Sequence, residues 1–280
     1  MVSTRCDEHE VALDTYHTAA VLERCGDEHA SSLLWHLDRI DQIAPALDGR
    51  FDVRNGGAGS VIYVMDTGVM ASHDEFAANG TSRVIAGFDA TSSVDIGRSR
   101  CRSANKALAP CYEDFEELPA ASHGTSVASI AAGRNVGVAP MATIVSIRVM
   151  NERGLATTRT YLEGLDAIIR HAWSPTSPTF RTAVVNISGW VLERLSGASV
   201  SPANPVVSYA TLEQKMRAMI AGVDANGRPD TNGKRFLFVV AANNVDGGCG
   251  SSGVIDRFPA LLGKKTDGLI TVGGMTADNT

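Results

Sequence analysis

Val61-Ile-Tyr-Val-Met-Asp-Thr-Gly68 is the stretch that decides the fold class of this 280-residue chain. Its first five residues are apolar and three of them are β-branched, which is typical of a short strand buried on both faces. Asp66 and a Thr-Gly turn follow at once. Four other segments have the same character, namely 143–149, 182–187, 236–240 and 269–272. Together they predict a sheet that is buried on both faces.

Helical patterns lie between these strands. One pattern follows His123, with Val127, Ile130 and Ala131 at helical spacing and Gly133 as the expected end. A second spans Tyr161–Ala172. A third covers Leu212–Ile220, with Ser208 as its expected start and Gly222 as its expected end. Alternating strands and helices predict an α/β fold of three layers, a mostly parallel sheet with helices on both faces. In such sheets ligands bind at the carboxyl ends of the strands. Those ends are Asp66, Met150–Gly154, Ser188–Trp190 and Asn243–Asn244.

Three polar side chains at or near these ends are candidates for chemistry. Asp66 is placed where main-chain N–H groups can hold a carboxylate, His123 begins a helix rich in small residues, and Asn244 could donate to an oxyanion. Each residue alone also has a simpler interpretation: a turn-forming Asp, a polar residue at a helix start, and an Asn-Asn turn. Their ordered combination at strand ends favours catalysis.

Composition excludes several classes of protein. The net charge is -6, with no basic stripe to neutralise phosphates, so nucleic acid is not an expected partner. No apolar run approaches the ~18 residues of a membrane helix, so no membrane partner is expected. The seven histidines form no HExxH zinc motif. An aspartic peptidase built on Asp66-Thr-Gly68 would need a second such motif or a small all-β dimer, and the helical stripes contradict that alternative.

The motifs, taken together, resemble the subtilisin-like serine peptidases from about Trp35 to Thr280. Val61–Val69 with His73-Asp-Glu-Phe76 is similar to the aspartate motif of that family. The other matching blocks are His123-Gly-Thr-Ser-Val-Ala128, Gly137-Val-Ala-Pro140, Ile147-Arg-Val-Met150, Val185-Asn-Ile-Ser-Gly189, Val239-Val-Ala-Ala-Asn-Asn244 and Trp35-His-Leu-Asp-Arg-Ile-Asp-Gln42. The blocks occur in the order of the family, which makes the resemblance specific.

The resemblance implies a role for each matching residue. Asp66 would orient His123, His123 would be the general base, and Asn244 would stabilise the oxyanion. The backbones of Gly154-Leu155-Ala156 and Ser188-Gly189-Trp190 would bind an extended polypeptide substrate. The family also implies an extracellular, monomeric peptidase that needs no cofactor. Structural calcium is common in it, and residues 89–117 supply Asp and Glu, but no ligand spacing stands out.

The nucleophile is the departure from the family pattern. The family serine lies in a Gly-Thr-Ser-x-Ala-x-Pro segment well after the asparagine, and the residues after Asn244 contain no such segment. Ser126 fits part of that pattern, but it lies within the histidine helix and is interpreted as a supporting residue. We therefore expect a partial peptidase domain over 35–280, truncated before its serine and inactive by itself. The alternative is a non-catalytic peptide-binding pseudoprotease.

The first residues and the cysteines lie outside these motifs. Residues 1–34 are predicted to form a separate polar, partly helical lead-in segment, such as a pro-region remnant. Charges stand at the start of the chain where a signal peptide needs an apolar stretch, so no export signal is expected there. The five cysteines are Cys6, Cys25, Cys101, Cys111 and Cys249. They are either unpaired thiols or form local bridges, with Cys101–Cys111 favoured over Cys6–Cys25 because both residues lie in one polar insertion.

Overall fold

A computed structural model describes residues 34–43, 46–51, 55–92, 123–151, 154–175, 177–190, 208–223, 234–242 and 258–274. The helices in these ranges are α1 (Trp35–Ile40), α2 (His123–Ala132), α3 (Thr158–Ala172) and α4 (Tyr209–Ala221). The strands are β1 (Val61–Asp66), β2 (Ala77–Ala78), β3 (Thr81–Ser82), β4 (Val84–Asp89), β5 (Thr143–Arg148), β6 (Thr182–Ile187), β7 (Arg235–Ala241) and β8 (Leu269–Val272). Single 3-10 turns lie at Asn55–Gly57, Asp74–Phe76, Ala90–Ser92 and Ala260–Lys264.

Six strands form the central sheet, in the order β4-β5-β1-β6-β7-β8. Every neighbouring pair in this sheet is parallel. β1 lies in the middle, between β5 and β6, and all six of its residues are buried. Because parallel strands end at one edge, the end of β1 at Asp66 lies beside the ends of β5 and β6.

Helices cover both faces of the sheet, so the predicted three-layer α/β fold is confirmed. On one face α3 and α4 pack against alternate strand residues such as Tyr63, Ile147 and Phe238. On the other face α2 packs through Ala128 and Ala132 against Val64 and Ile144. The side chain of Asp66 belongs by alternation to the α2 face, because it follows Ile62 and Val64 at a spacing of two.

Local sequence explains where the helices begin and end. The hydroxyl of Thr157 accepts from the backbone N–H of Thr160 in a reciprocal capping box that starts α3. Ser208 caps α4 as predicted, and Gly222 ends it at φ 70°, a conformation that glycine adopts without strain. The predicted helix after His123 ends at Ala132, immediately before Gly133.

Three features of the fold differ from the expectations. The sequence pattern did not predict β4, because a bulge at Gly87 interrupts its alternation, and it did not predict the β2–β3 hairpin. The apolar stripe proposed for α2 also included Ile130, which is 56% exposed. The buried face of α2 consists instead of the small residues Gly124, Ala128 and Ala132, which allow the helix to lie close to the sheet.

Several predictions concern residues outside the described ranges. These are residues 1–33 of the lead-in segment, all five cysteines, and most of the acidic segment 89–117. Between β6 and β7 the structure describes α4, the helix expected from Ser208 to Gly222. None of the helices among the described residues has the length and apolar character that crossing a membrane would require.

Candidate active site

Asp66 lies at the carboxyl end of the central strand and is fully buried. Its Oδ1 accepts a hydrogen bond of 2.7 Å from the backbone N–H of Thr67, which confirms the expected main-chain donor. Its own carbonyl accepts from the N–H groups of Val149 and Met150, at 2.9 and 3.2 Å. The strand end is thereby fixed to the segment that follows β5, and the carboxylate has a defined position.

His123 is the first residue of α2, and it lies directly against Asp66. Its Nδ1 is 2.7 Å from Asp66 Oδ1, the distance of a strong charge-assisted hydrogen bond. Since the carboxylate is an acceptor, Nδ1 carries the proton, as the hydrogen-bond network assigns it. The imidazole side chain is 47% exposed, whereas the carboxylate is not exposed at all. The pair therefore presents a histidine, held from behind by a buried carboxylate, at the surface.

The chain segments on either side of this pair are bonded to each other. The backbone N–H of Gly124 donates to Thr67 Oγ1 at 2.9 Å, and the N–H of Met70 donates to Thr125 Oγ1 at 2.8 Å. Gly124 also has no room for a side chain, because a Cβ there would lie 2.1 Å from the carbonyl oxygen of Gly68. The start of α2 thus lies in backbone contact with the loop after β1.

Other charged and polar groups surround the carboxylate. Arg148 and Asp89 are both buried, and each is paired across the sheet in the same row as Asp66. Asp66 Oδ2 and the hydroxyl of Tyr161 are buried and have no hydrogen-bond partner among the residues that the structure describes. Burial raises the pKa of Tyr161 well above its ordinary value, and the negative charge of Asp66 raises it further. Sequence analysis did not identify Arg148, Asp89 or Tyr161 as neighbours of the site. For Arg148 the available signal was a charged residue inside an apolar strand.

The two segments expected to bind peptide follow β5 and β6 along the chain. Gly154, Leu155 and Ala156 form a turn closed by hydrogen bonds between Asn151 and Leu155, with Gly154 at φ 70°. Ser188, Gly189 and Trp190 follow β6, where Asn186 Nδ2 donates to Ser188 Oγ at 3.0 Å. A Cβ on Gly189 would lie 2.3 Å from Met150 Cε, so Gly189 rests directly on Met150.

Leu155 and Trp190 are the exposed large apolar residues of these segments, each at 38%. They supply apolar surface beside the ends of β5 and β6, which flank β1 and hence Asp66. The predicted peptide-binding residues and the predicted catalytic pair therefore lie at one edge of the sheet. Asn243 and Asn244 lie outside the described residues, directly after the last described residue of the β7 segment, Ala242.

Two further sequence predictions can be placed. Ser126 is exposed on α2, about one turn after His123. Among the described ranges, no group of three or more His, Cys, Asp or Glu residues is arranged to hold a metal ion. The side chains that could ligate calcium in 89–117 belong almost entirely to the part of the chain that is not described.

Known proteins resemble this chain in sequence and in fold. An extracellular serine proteinase of Thermus sp. (strain Rt41A) is 34% identical over 158 residues, which are 56% of this chain and 31% of that protein. A cuticle-degrading serine protease of Arthrobotrys oligospora is 30% identical over 159 residues, 55% of this chain and 32% of that protein. The chain thus spans about a third of the length of these curated relatives.

A solved structure and a family model extend the similarity. The crystal structure of a cold adapted subtilisin-like serine proteinase superposes with a TM-score of 0.53 and 26% identity, covering 87% of this chain and 64% of that one. The model of the subtilase family, Peptidase_S8, matches residues 57–280, which include Asp66, His123 and all six strands of the central sheet. The chain therefore belongs to the subtilase family.

Proposed function

We propose that this chain provides the aspartate and histidine of a serine endopeptidase that hydrolyses peptide bonds in extended polypeptides. The observation that supports the proposal most strongly is the hydrogen bond of 2.7 Å between His123 Nδ1 and the buried carboxylate of Asp66. Membership of the subtilase family is consistent with the same reaction class. The proposal requires no cofactor.

The geometry of the pair suits general-base catalysis. When its Nδ1–H donates a hydrogen bond to Asp66, the neutral imidazole has an unprotonated Nε2. This nitrogen can take the proton of a serine hydroxyl. As the hydroxyl oxygen attacks the scissile carbonyl, the imidazole becomes positively charged, and the carboxylate 2.7 Å away stabilises that charge. The imidazolium then returns the proton to the leaving amine, and water repeats the cycle on the acyl-enzyme.

In this proposal the substrate binds as an added strand at the edge where β5 and β6 end. Backbone groups of Gly154–Ala156 and Ser188–Trp190 form its main-chain hydrogen bonds, while Leu155 and Trp190 contact its side chains. Asn244 donates a hydrogen bond to the developing oxyanion. Removing one such donor costs about 2.7–4 kcal/mol of transition-state stabilisation in subtilisin.

The serine motif Gly-Thr-Ser-x-Ala-x-Pro does not occur among the residues that follow Asn244. The second candidate function is therefore a pseudoprotease, which binds peptides at the same edge without cleaving them. The nucleotide sequence that follows codon 280 separates the two, because an in-frame serine motif favours the peptidase.

The decisive experiment uses the product of that extended reading frame. We expect a fluorophosphonate to label it, and His123→Ala to abolish labelling, whereas His73→Ala, which removes another exposed histidine, leaves labelling unchanged. Labelling that survives His123→Ala would exclude the triad assignment. A longer product that contains a serine motif and is not labelled would favour the pseudoprotease.

Peptide binding can be measured on the 280-residue chain itself. Trp190 is 38% exposed in one of the proposed binding segments, so an extended apolar peptide should change its fluorescence. Trp190→Phe should remove that change, and Trp173→Phe, at the carboxyl end of α3, should preserve it. A fluorescence change that persists in Trp190→Phe would place the peptide elsewhere.

An extracellular location belongs to the same proposal, supported by a relative described as an extracellular serine proteinase.

A further inference from the structure

The segment that follows β1 is bonded to α2 at both ends of the helix. At the start of α2, Thr67 Oγ1 accepts from the N–H of Gly124, and the N–H of Met70 donates to Thr125 Oγ1. At the other end, the 3-10 turn Asp74–Phe76 contacts the residues that follow the helix. A helix fixed at two points can neither slide along its axis nor turn about it unless one set of hydrogen bonds breaks.

Glu75 makes most of the contacts at the far end of α2. Its Oε1 accepts from Asn135 Nδ2 at 2.8 Å, and its Oε2 accepts from the backbone N–H groups of Asn135 and Val136, at 3.0 and 3.4 Å. Its carbonyl accepts from the N–H of Arg134 at 2.8 Å. A Cβ on Gly133 would lie 2.4 Å from Glu75 Oε2, so the carboxylate fits closely against the end of the helix.

Arg83, which directly precedes β4, connects the same helix end to the sheet. Its guanidinium group donates to the carbonyls of Ala132, Glu75 and Ala142, at 2.7, 2.9 and 2.9 Å. Ala132 is the last residue of α2, so its carbonyl has no donor within the helix, and a cation there also complements the helix dipole. Ala142 leads directly into β5, the neighbour of the strand that carries Asp66.

These contacts bear on His123 because α2 is short and regular. The helix has ten residues and is therefore about 15 Å long, so a displacement of its end is passed on to its first residue. Its buried face consists of Gly124, Ala128 and Ala132, and side chains this small do little to prevent sliding over the sheet. Contacts at the end of the helix are therefore needed to fix its axial position.

We propose that Glu75 and Arg83 are positioning residues for His123. By holding the end of α2, they keep Nδ1 of His123 at 2.7 Å from Oδ1 of Asp66. Their importance for catalysis rests on the proposed function, but their effect on this contact is measurable in the 280-residue chain without hydrolysis.

The test follows the Nδ1 proton of His123 by NMR at a fixed pH of about 7. A strong hydrogen bond to a carboxylate gives this proton a far-downfield resonance, assigned by its disappearance in His123→Ala. In Glu75→Ala we expect the resonance to move upfield and to exchange faster with water, because the hydrogen bond lengthens. Glu75→Gln retains an acceptor oxygen at the same reach and should restore most of the original resonance. Asp74→Ala, on the same turn, should leave it unchanged.

A second set of variants separates positioning from stability. Arg83→Met removes the other contact to the helix end and should move the resonance in the same direction, which also tests the proposal if Glu75→Ala does not fold. Leu269→Thr lowers stability from the opposite face of the sheet, where Leu269 is buried, and should not move the resonance. An unmoved resonance in Glu75→Ala and Arg83→Met, or an equal shift in Leu269→Thr, would overturn the proposal.

The labelling experiment on the extended product tests the function separately. There Glu75→Ala should lower the rate of fluorophosphonate labelling by about tenfold or more, since a displacement of about 1 Å can cost about 10²-fold. If the resonance shifts as expected but the unaltered extended product is not labelled, the positioning role is upheld and the peptidase function is rejected. If that product is labelled through His123 but the resonance does not move, the function is upheld and the positioning role is rejected.

Discussion

The backbone N–H of Gly124 donates to the hydroxyl of Thr67 at 2.9 Å. Each of these residues follows directly after one member of the Asp66–His123 pair, so the hydrogen bond joins the two chain segments that carry the pair. The side-chain contact of 2.7 Å is therefore accompanied by a second hydrogen bond between the same two segments. This arrangement makes the position of His123 depend on the residue type at 124.

Replacing Gly124 by Ala should separate His123 from Asp66. The new Cβ would lie 2.1 Å from the carbonyl oxygen of Gly68 and 3.1 Å from Cβ of Asp66, so the start of α2 has to move. Because a displacement of about 1 Å can lower turnover by about 10²-fold, we expect that order of loss in a labelled, serine-containing product. Gly273→Ala is the matched control, since nothing lies within 4 Å of its Cβ position. Equal labelling rates in the two variants would contradict the close packing.

Asp66→Asn should preserve the fold and remove the charge. An amide can no longer stabilise the imidazolium and favours the wrong tautomer, so turnover in a serine-containing product should fall by about 10⁴-fold. Asp74→Asn changes the same group on an exposed turn and should have little effect. The rate of fluorophosphonate labelling measures the effect of Asp66→Asn and of Asp74→Asn, and circular dichroism checks the fold of each variant. A loss of less than tenfold would mean that Asp66 does not support the base.

Local patterns were sufficient for the parts of this structure that depend on local physics. Short apolar runs predicted five strands of the central sheet, and the cap of α4 was predicted from Ser208 and Gly222. The contact between Asp66 and His123 was implied by the resemblance to the subtilisin-like serine peptidases, and in the structure the two side chains are 2.7 Å apart.

Other features depend on pairing between distant segments and could not be predicted in this way. The bulge at Gly87 in β4 exists only through its register with β5, where Ala86 and Phe88 pair with consecutive residues. Arg148 belongs by composition to a surface residue class, yet it is fully buried, and its strand register pairs it with Asp66 and Asp89 across the sheet. Ile130 fits an apolar stripe, but the close approach of α2 to the sheet needs small residues on the inner face.

The free energy of unfolding should fall as the pH is lowered through about 6.5. Tyr63 Oη lies 3.0 Å from His171 Nδ1, and burial raises the pKa of Tyr63, so the phenol stays protonated and can donate to this nitrogen. Burial and the positive charge of Lys234 hold the pKa of His171 below its ordinary value of 6.5. In the pH range between the lowered pKa of His171 in the folded chain and its ordinary value of 6.5 in the unfolded chain, the unfolded chain binds more protons than the folded one. Acid therefore favours unfolding.

Urea unfolding at several pH values between 5 and 8 measures this effect. In His171→Gln the amide oxygen still accepts from Tyr63 but does not titrate, so the dependence on pH over this range should become shallower. Tyr63→Phe should lower stability by about 1 kcal/mol at pH 8, the typical net value of one hydrogen bond. An unchanged pH dependence in His171→Gln would assign the effect to another group.

The α2 side of β7 and β8 should bind hydrophobic dyes and promote aggregation. Ile270 and Val272 are 50% and 48% exposed there, and they pair with Val239 and Ala241 on β7 to form one apolar surface. Ile270→Thr/Val272→Thr should therefore reduce dye binding and raise solubility without lowering the urea midpoint. Leu269→Thr, on the same strand but 5% exposed on the opposite face, should instead destabilise the chain by about 2–4 kcal/mol, because it deletes buried apolar volume and buries a hydroxyl. Dye binding that stays equal in the double variant and the unaltered chain would mean that this face is not the apolar surface exposed in solution.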